Sequence, residues 1–396
     1  MGEWKEYLLD EVIEKFIDYR GKTPTKTDSG VPLITAKVVK NGTIAEPNEF
    51  ISKDDYHSWM RRGYPEVDDI VLTTEAPLGE VALLKTKDVA LAQRIITLRA
   101  NPKKAYNPFI KYYLQSPPGQ FELESRASGT TVLGIKSSVL KKLPVMLPDL
   151  PEQRAIASVL SSLDAKIDLL HRQNKTLEAM AEALFRQWFV EEAEEGWEEY
   201  VLTDIASHCK DSVNPGQHPT RLYHHYSLPA YDEGRKPSPE LGDTIKSSKY
   251  VVPENAVLVS KLNPRFPRVW PIRDRKHEHP ISSTEFQVFV PKQVEMFGFL
   301  YCFLISKPVQ DELASAASGT SGSHQRVSPD DIKGLAFQAK SKQQLVDFSK
   351  VVDPLLEKIE TNKDQVANLT KLRDTLLPKL MSGEVRVEAR STSLEK

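Results

Sequence analysis

From Ile156 onward, apolar side chains recur in alternating steps of four and three: Ile156, Leu160, Leu163, Ile167, Leu170, Asn174, Leu177, Ala181, Leu184 and Trp188. No Pro or Gly interrupts residues 152–195. The pattern predicts one long helix whose narrow apolar stripe needs a partner helix. A second stretch repeats the signal through Phe348, Val352, Leu355, Ile359, Asn362, Val366, Leu369, Arg373, Leu376 and Leu380. Asp149 with Glu152, and Ser341 with Gln344, each read as a capping box that starts a helix. Gly196 and Gly383 mark the expected ends, and Pro378 is expected to kink or end the second helix. Run antiparallel, the two stripes place Asn174 and Asn362 in one layer, where the amides satisfy each other and fix the register. Leu170 then faces Val366, Leu177 faces Ile359, Leu184 faces Val352 and Trp188 faces Phe348, while Arg373 against Leu163 is the poorest layer. An antiparallel coiled coil within the chain is the expectation; two unrelated surface helices are the plainer alternative.

The pattern outside the helices also repeats. Trp4-Lys5-Glu6-Tyr7-Leu8-Leu9 returns as Trp197-Glu198-Glu199-Tyr200-Val201-Leu202, and Ser125-Arg126-Ala127-Ser128-Gly129-Thr130 as Ser315-Ala316-Ala317-Ser318-Gly319-Thr320. The aromatic run Phe109–Ser116 returns at Phe299–Ser306. These landmarks and the two caps keep a spacing of roughly 190 residues, the mark of an internal duplication. Strands are predicted at Asp69–Thr73, Gln93–Leu98, Ala256–Ser260 and Glu285–Val290, with short helices near Pro108–Gln115 and Gly298–Ile305. The fold class is therefore α+β: two β-rich globular domains related by a pseudo-twofold and separated by the two helices. The expected segments are a first domain at residues 1–148, a long helix at 149–196, a second domain at 197–340, a second long helix at 341–383 and a tail at 384–396.

Composition narrows the class without naming a function. The chain has 396 residues, 40% hydrophobic and 27% charged, as expected of a soluble globular protein with several cores. No apolar run is long enough to span a bilayer, the start lacks a signal-peptide layout, and Cys209 and Cys302 cannot build a disulfide framework. A cytoplasmic location is expected. The net charge of -2 conceals segregation. Lys261, Arg265, Arg268, Arg273, Arg275 and Lys276 crowd one segment; Glu191, Glu192, Glu194, Glu195, Glu198 and Glu199 crowd another. Such segregation serves either a solvated face or an anionic partner.

No catalytic constellation stands out. Gly21-Lys22-Thr23 resembles the end of a phosphate-binding loop, but position 16 is Phe where that loop needs Gly. Asn107-Pro108-Phe109 lacks the second Pro of an amino-methyltransferase motif. His224, His225, His277, His279 and His324 have no Cys at zinc spacing. Nucleic-acid contacts are better served. Thr130, Thr131 and Lys136 follow the first Ser-Gly-Thr; Ser323, His324, Gln325 and Arg326 follow the second. The basic loop adds Lys261, Asn263, Arg265 and Arg268 beside Trp270, and the corresponding stretch of the first half offers Thr74 with Arg61 and Arg62. Hydroxyls, amides and cations on loops can donate to phosphates and base edges, although the same residues also build ordinary turns.

The order of variable region, Leu147-Pro148-Asp149-Leu150-Pro151-Glu152-Gln153-Arg154-Ala155-Ile156, a long helix closing on Leu184-Phe185-Arg186-Gln187-Trp188-Phe189, and then the whole again resembles the DNA-specificity subunit of type I restriction-modification systems. The second copy departs from it: Ala339-Lys340-Ser341-Lys342-Gln343-Gln344 lacks the Pro-Glu-Gln core. The resemblance implies two target-recognition domains that each read half of a bipartite double-stranded DNA site. It implies a non-catalytic chain and helices that dock two methyltransferase (modification) subunits, with restriction subunits joining the complex. S-adenosylmethionine, Mg and ATP would then sit on partner subunits, and no cofactor or metal on this one. A stand-alone DNA-modifying or DNA-cleaving enzyme and a coiled-coil scaffold that binds no DNA are the rival readings.

Overall fold

The two heptad stripes fold as long helices. The computed structural model describes residues 3–273, 277–317 and 325–387. The first long helix runs over Leu150–Arg186 and passes into a π-helical turn, Gln187–Glu191; the second runs over Lys342–Met381. At the first start, Asp149 accepts the Glu152 backbone N–H at 2.9 Å, as a cap should. The return bond of the capping box is missing, because Arg386 takes the Glu152 carboxylate, 2.9 Å from each oxygen. At the second start, Gln344 Oε1 accepts the N–H of Lys340 rather than that of Ser341.

The predicted ends need two corrections. Gly196 has a left-handed φ of 93°, but the helix has already stopped at Glu191. The carboxylates of Glu191, Glu192, Glu194 and Glu195 oppose the negative end of the helix dipole there and discourage further turns. Pro378 does not end the second helix. It withholds one N–H, yet its carbonyl still accepts from Ser382 at 3.0 Å, and the buried Leu380 and Met381 hold the last turn in place. Gly383 follows that turn at a φ of 73°, the C-cap conformation expected of it.

The chain divides into two compact α+β units, Met1–Leu169 with Gln365–Lys396, and Leu170–Asp364. In the first, strand Lys5–Leu8 pairs antiparallel with Pro144–Leu147. An antiparallel sheet follows with the spatial order Ile13–Asp18, Ile95–Ala100, Ile70–Thr74, Leu78–Leu83. Helix Asn107–Gln115 covers it, burying Phe109, Ile110 and Leu114 against Ile70, Leu72 and Leu98. Ile156, Ala157 and Leu160 of the first long helix and Leu380 of the second complete this core. A smaller sheet of Phe50–Ile51, Val31–Ile34 and Ala90–Leu91 carries its own apolar cluster.

The second unit repeats the plan. Glu198–Val201 pairs with Ala336–Ala339, and the four-stranded order is Ala206–Cys209, Phe286–Pro291, Ala256–Ser260, Val269–Ile272. Helix Phe297–Ile305 covers that sheet, with Phe299 stacked on Phe303. A five-stranded sheet replaces the small sheet of the first unit. Leu177, Leu184 and Trp188 pack with Phe348, Val352 and Ile359 in one core, and the rings of Trp188 and Phe348 lie 5.7 Å apart. Asn362, with no exposed surface, donates from Nδ2 to Asn174 Oδ1 at 2.8 Å.

Candidate nucleic-acid interface

Each unit builds the same edge. A hairpin leaves the third strand of the four-stranded sheet and meets a loop returning from the helical layer. In the first unit, Glu75 bridges Gly134, and Ile135 donates its N–H to the Thr74 carbonyl at 3.0 Å. The returning loop closes on itself through two bonds between Ser128 and Gly134. Gly129 is required there: its φ is 127°, and a Cβ would stand 2.1 Å from the Val132 carbonyl oxygen. That closure leaves Thr130, Thr131 and Lys136 exposed.

Thr74 does not belong to the exposed edge. It ends a strand buried on both faces and is 2% exposed, so its hydroxyl is closed to a duplex. Arg61 and Arg62 follow helix Lys53–Trp59 and are exposed, with their guanidiniums donating to the Ser58 and Asp18 carbonyls. Two cations not anticipated from sequence join them. Arg20 pairs with Asp18 and donates to the Ile135 carbonyl at 2.7 Å, which ties it to the hairpin edge. Arg94 lies 4.0 Å from Glu75. Arg94 falls at the start of a predicted strand, whose pattern does not say that its side chain reaches the hairpin, and Arg20 lies in a segment without a periodic signal.

The second unit has the same contact, made by Leu262 bridging Arg326. Asn263 donates its N–H to Gln325 at 2.8 Å, and Val327 donates to Lys261 at 3.0 Å. The structure thus brings together Lys261, Asn263, Gln325 and Arg326, which lie far apart in sequence. Ser323 and His324 lie outside the described residues, as do Arg275 and Lys276. The basic cluster is less basic than its sequence. Arg268 grips Asp232 through two bonds of 2.8 and 2.9 Å with its side chain 16% exposed, and that pairing holds its charge firmly. Arg268 is therefore a brace, and its partner, 36 residues earlier, could not be read from the local pattern. Arg273 pairs with Asp353, and Arg326 with Glu285. Arg265 stays exposed at the tip of the hairpin.

Asn107, which suggested chemistry, serves the fold instead. Asn107 accepts the Ala100 N–H through Oδ1 and donates to the Asp68 carbonyl through Nδ2. Lys111, Tyr112 and Arg373 converge on Asp164 at 2.8, 2.6 and 3.1 Å. Arg373 thereby becomes an ionic layer rather than a gap in the apolar stripe. Burial pushes the Asp164 carboxyl up, but the neighbouring cations and hydroxyl outweigh it and hold the group below the ordinary range. Among the described residues no group of three or more His, Cys, Asp or Glu is placed to hold a metal, and no helix is long and apolar enough to cross a membrane.

Two α+β units that share one four-stranded sheet order, each presenting a hairpin-and-loop edge, define a tandem-repeat protein. Comparison with known proteins shows what the chain is similar to. Residues 1–179 match the type I restriction modification DNA specificity domain. The chain is 27% identical over 393 residues to the type I restriction enzyme MjaIX specificity subunit of Methanocaldococcus jannaschii, covering 90% of this chain and 87% of the relative. It is 26% identical over 182 residues to the MjaVIII specificity subunit of the same organism, covering 44% and 43%. The crystal structure of the type I restriction-modification system S subunit from M. genitalium shares the fold, with a TM-score of 0.62 at 20% identity over 95% of this chain and 96% of that one. Along most of its length the chain is thus similar to type I restriction-modification specificity subunits, and its first half matches their DNA specificity domain.

Proposed function

We propose that this chain is the sequence-specific, double-stranded DNA-binding subunit of a type I restriction-modification complex. Each unit reads one short block of a bipartite target. The observation that carries the reading is the recurrence of the hairpin-and-loop edge on one four-stranded sheet order in both halves of a chain similar to such subunits. The contacts fall to Thr130, Thr131 and Lys136 in the first unit, with Arg61 and Arg62 on phosphates. In the second they fall to Lys261, Asn263, Arg265, Gln325 and Arg326. The long helices form an antiparallel coiled coil that relates the halves by a pseudo-twofold and holds them a set distance apart. At about 1.5 Å per residue, residues 156–189 would reach roughly 50 Å. Two modification subunits dock on these helices, and restriction subunits join through them. The chain itself is not an enzyme; S-adenosylmethionine, Mg and ATP belong to the partners, and this chain contributes binding and positioning. The complex is cytoplasmic.

Selection from a random duplex pool tests the reading. Recovered sequences should share two specified blocks separated by unspecified base pairs, with retention falling steeply as salt rises. A pool without enrichment overturns it, as would methyl transfer or nicking by the isolated chain.

A further inference from the structure

The two hairpins differ in one respect that bears on how DNA is read. Between Ile70–Thr74 and Leu78–Leu83 the connection is three residues, Glu75–Pro77; between Ala256–Ser260 and Val269–Ile272 it is eight, Lys261–Arg268. The longer one is braced at every level. Lys261 donates to Glu285, Asn263 to Gln325, Phe266 to Asn263 and Ser260 to Arg268, at 2.8 to 3.0 Å. Ser260 Oγ bonds both the N–H and the carbonyl of Leu262, and Arg268 is locked on Asp232. Pro264 is buried, and Pro267 limits the backbone on the far side of the tip. What this scaffold holds out is Arg265 and Phe266, the latter 63% exposed. A lone exposed aromatic is common; one fixed on a braced, proline-flanked tip beside an exposed cation has already lost the freedom that binding would otherwise remove.

We infer that Phe266 is a wedge that enters the base stack of the block read by the second unit, with Arg265 on the adjoining phosphate. The inference rests on the DNA-binding reading above and adds an asymmetry to it: the three-residue turn of the first unit carries no aromatic, so only the second block is unstacked. Apolar side chains on rigid tips unstack base steps in this manner, and flexible pyrimidine–purine steps yield most readily.

The test uses the full chain in complex with its modification subunits and the duplex recovered by selection. 2-Aminopurine placed along the second block, away from any base that the modification subunits extrude for methylation, should brighten at one step on binding, while the same label placed likewise in the first block should not. Phe266→Ala should abolish the signal and weaken specific binding about tenfold, the scale of one lost base–aromatic stack. Phe266→Trp should restore both. The thermal transition should be the same in all three proteins, since the side chain is exposed. Unchanged affinity and an unchanged signal in the Ala variant overturn the wedge. Loss of subunit recovery with DNA binding intact also overturns it, because the tip would then be a protein contact. Failure of the wild-type complex to prefer any sequence overturns the DNA reading instead.

Discussion

Lys111 is 4% exposed and holds its ammonium 2.8 Å from Asp164 Oδ2, with Tyr112 and Arg373 completing the network. Breaking such a group from one side strands a buried charge. Asp164→Asn should lower stability at neutral pH by about 3 kcal/mol, the lower end for a buried pair because Asp164 is 25% exposed. The pH dependence has a definite sign. A carboxyl held below its ordinary value contributes fully above the unfolded pKa of about 4 and loses that contribution as pH falls through the lower folded value. Denaturant melts should therefore show a wide gap between wild type and variant at pH 7 that narrows towards pH 3. An equal gap at both values would mean that the ionised carboxylate is not its source. Neither Lys111 nor Asp164 was readable as a pair, since the contact joins a short helix to a long one across 53 residues.

The paired helices make a prediction of their own through Asn174 and Asn362. Asn362→Leu alone should cost about 1–3 kcal/mol, because it leaves the Asn174 amide facing an apolar layer. Asn174→Leu with Asn362→Leu should recover most of that, so a double-mutant cycle by chemical denaturation should report a coupling of about 1 kcal/mol or more. Additive effects would show that the amides do not act as a pair. This layer could be anticipated because heptad spacing is a local property and an Asn interrupting each stripe marks its own partner. The sheet strands were similarly accessible: Ala256–Ser260 folds over its expected bounds. Elements set by distant contacts were not. The five-stranded sheet rests on strands as short as Ser212–Val213, which carry no period. Arg268 looked like a ligand until Asp232 claimed it, and the buried Thr74 looked available because a hydroxyl at a strand end gives no sign of which layer covers it.

For the chain as a whole, the proposed function turns the long helices into a ruler, and a ruler can be lengthened. A heptad inserted into each long helix at matching layers preserves the apolar stripe and adds about 10 Å to each helix. Base pairs stack about 3.4 Å apart, so on the bipartite reading the two blocks should move apart by about three base pairs. The blocks themselves should not change, because both hairpin-and-loop edges lie outside the inserted residues. Duplexes that carry both blocks with graded spacers would be measured against the wild-type and lengthened chains, each with its modification subunits. The lengthened chain should prefer the longer spacer and reject the original. Insertion into only one helix should disturb the pairing around Asn174 and Asn362 and lower stability without defining a new spacer. A preferred spacer that stays fixed when both helices grow would separate the helices from the measurement of distance, and the two units would then have to be positioned on DNA by the partner subunits.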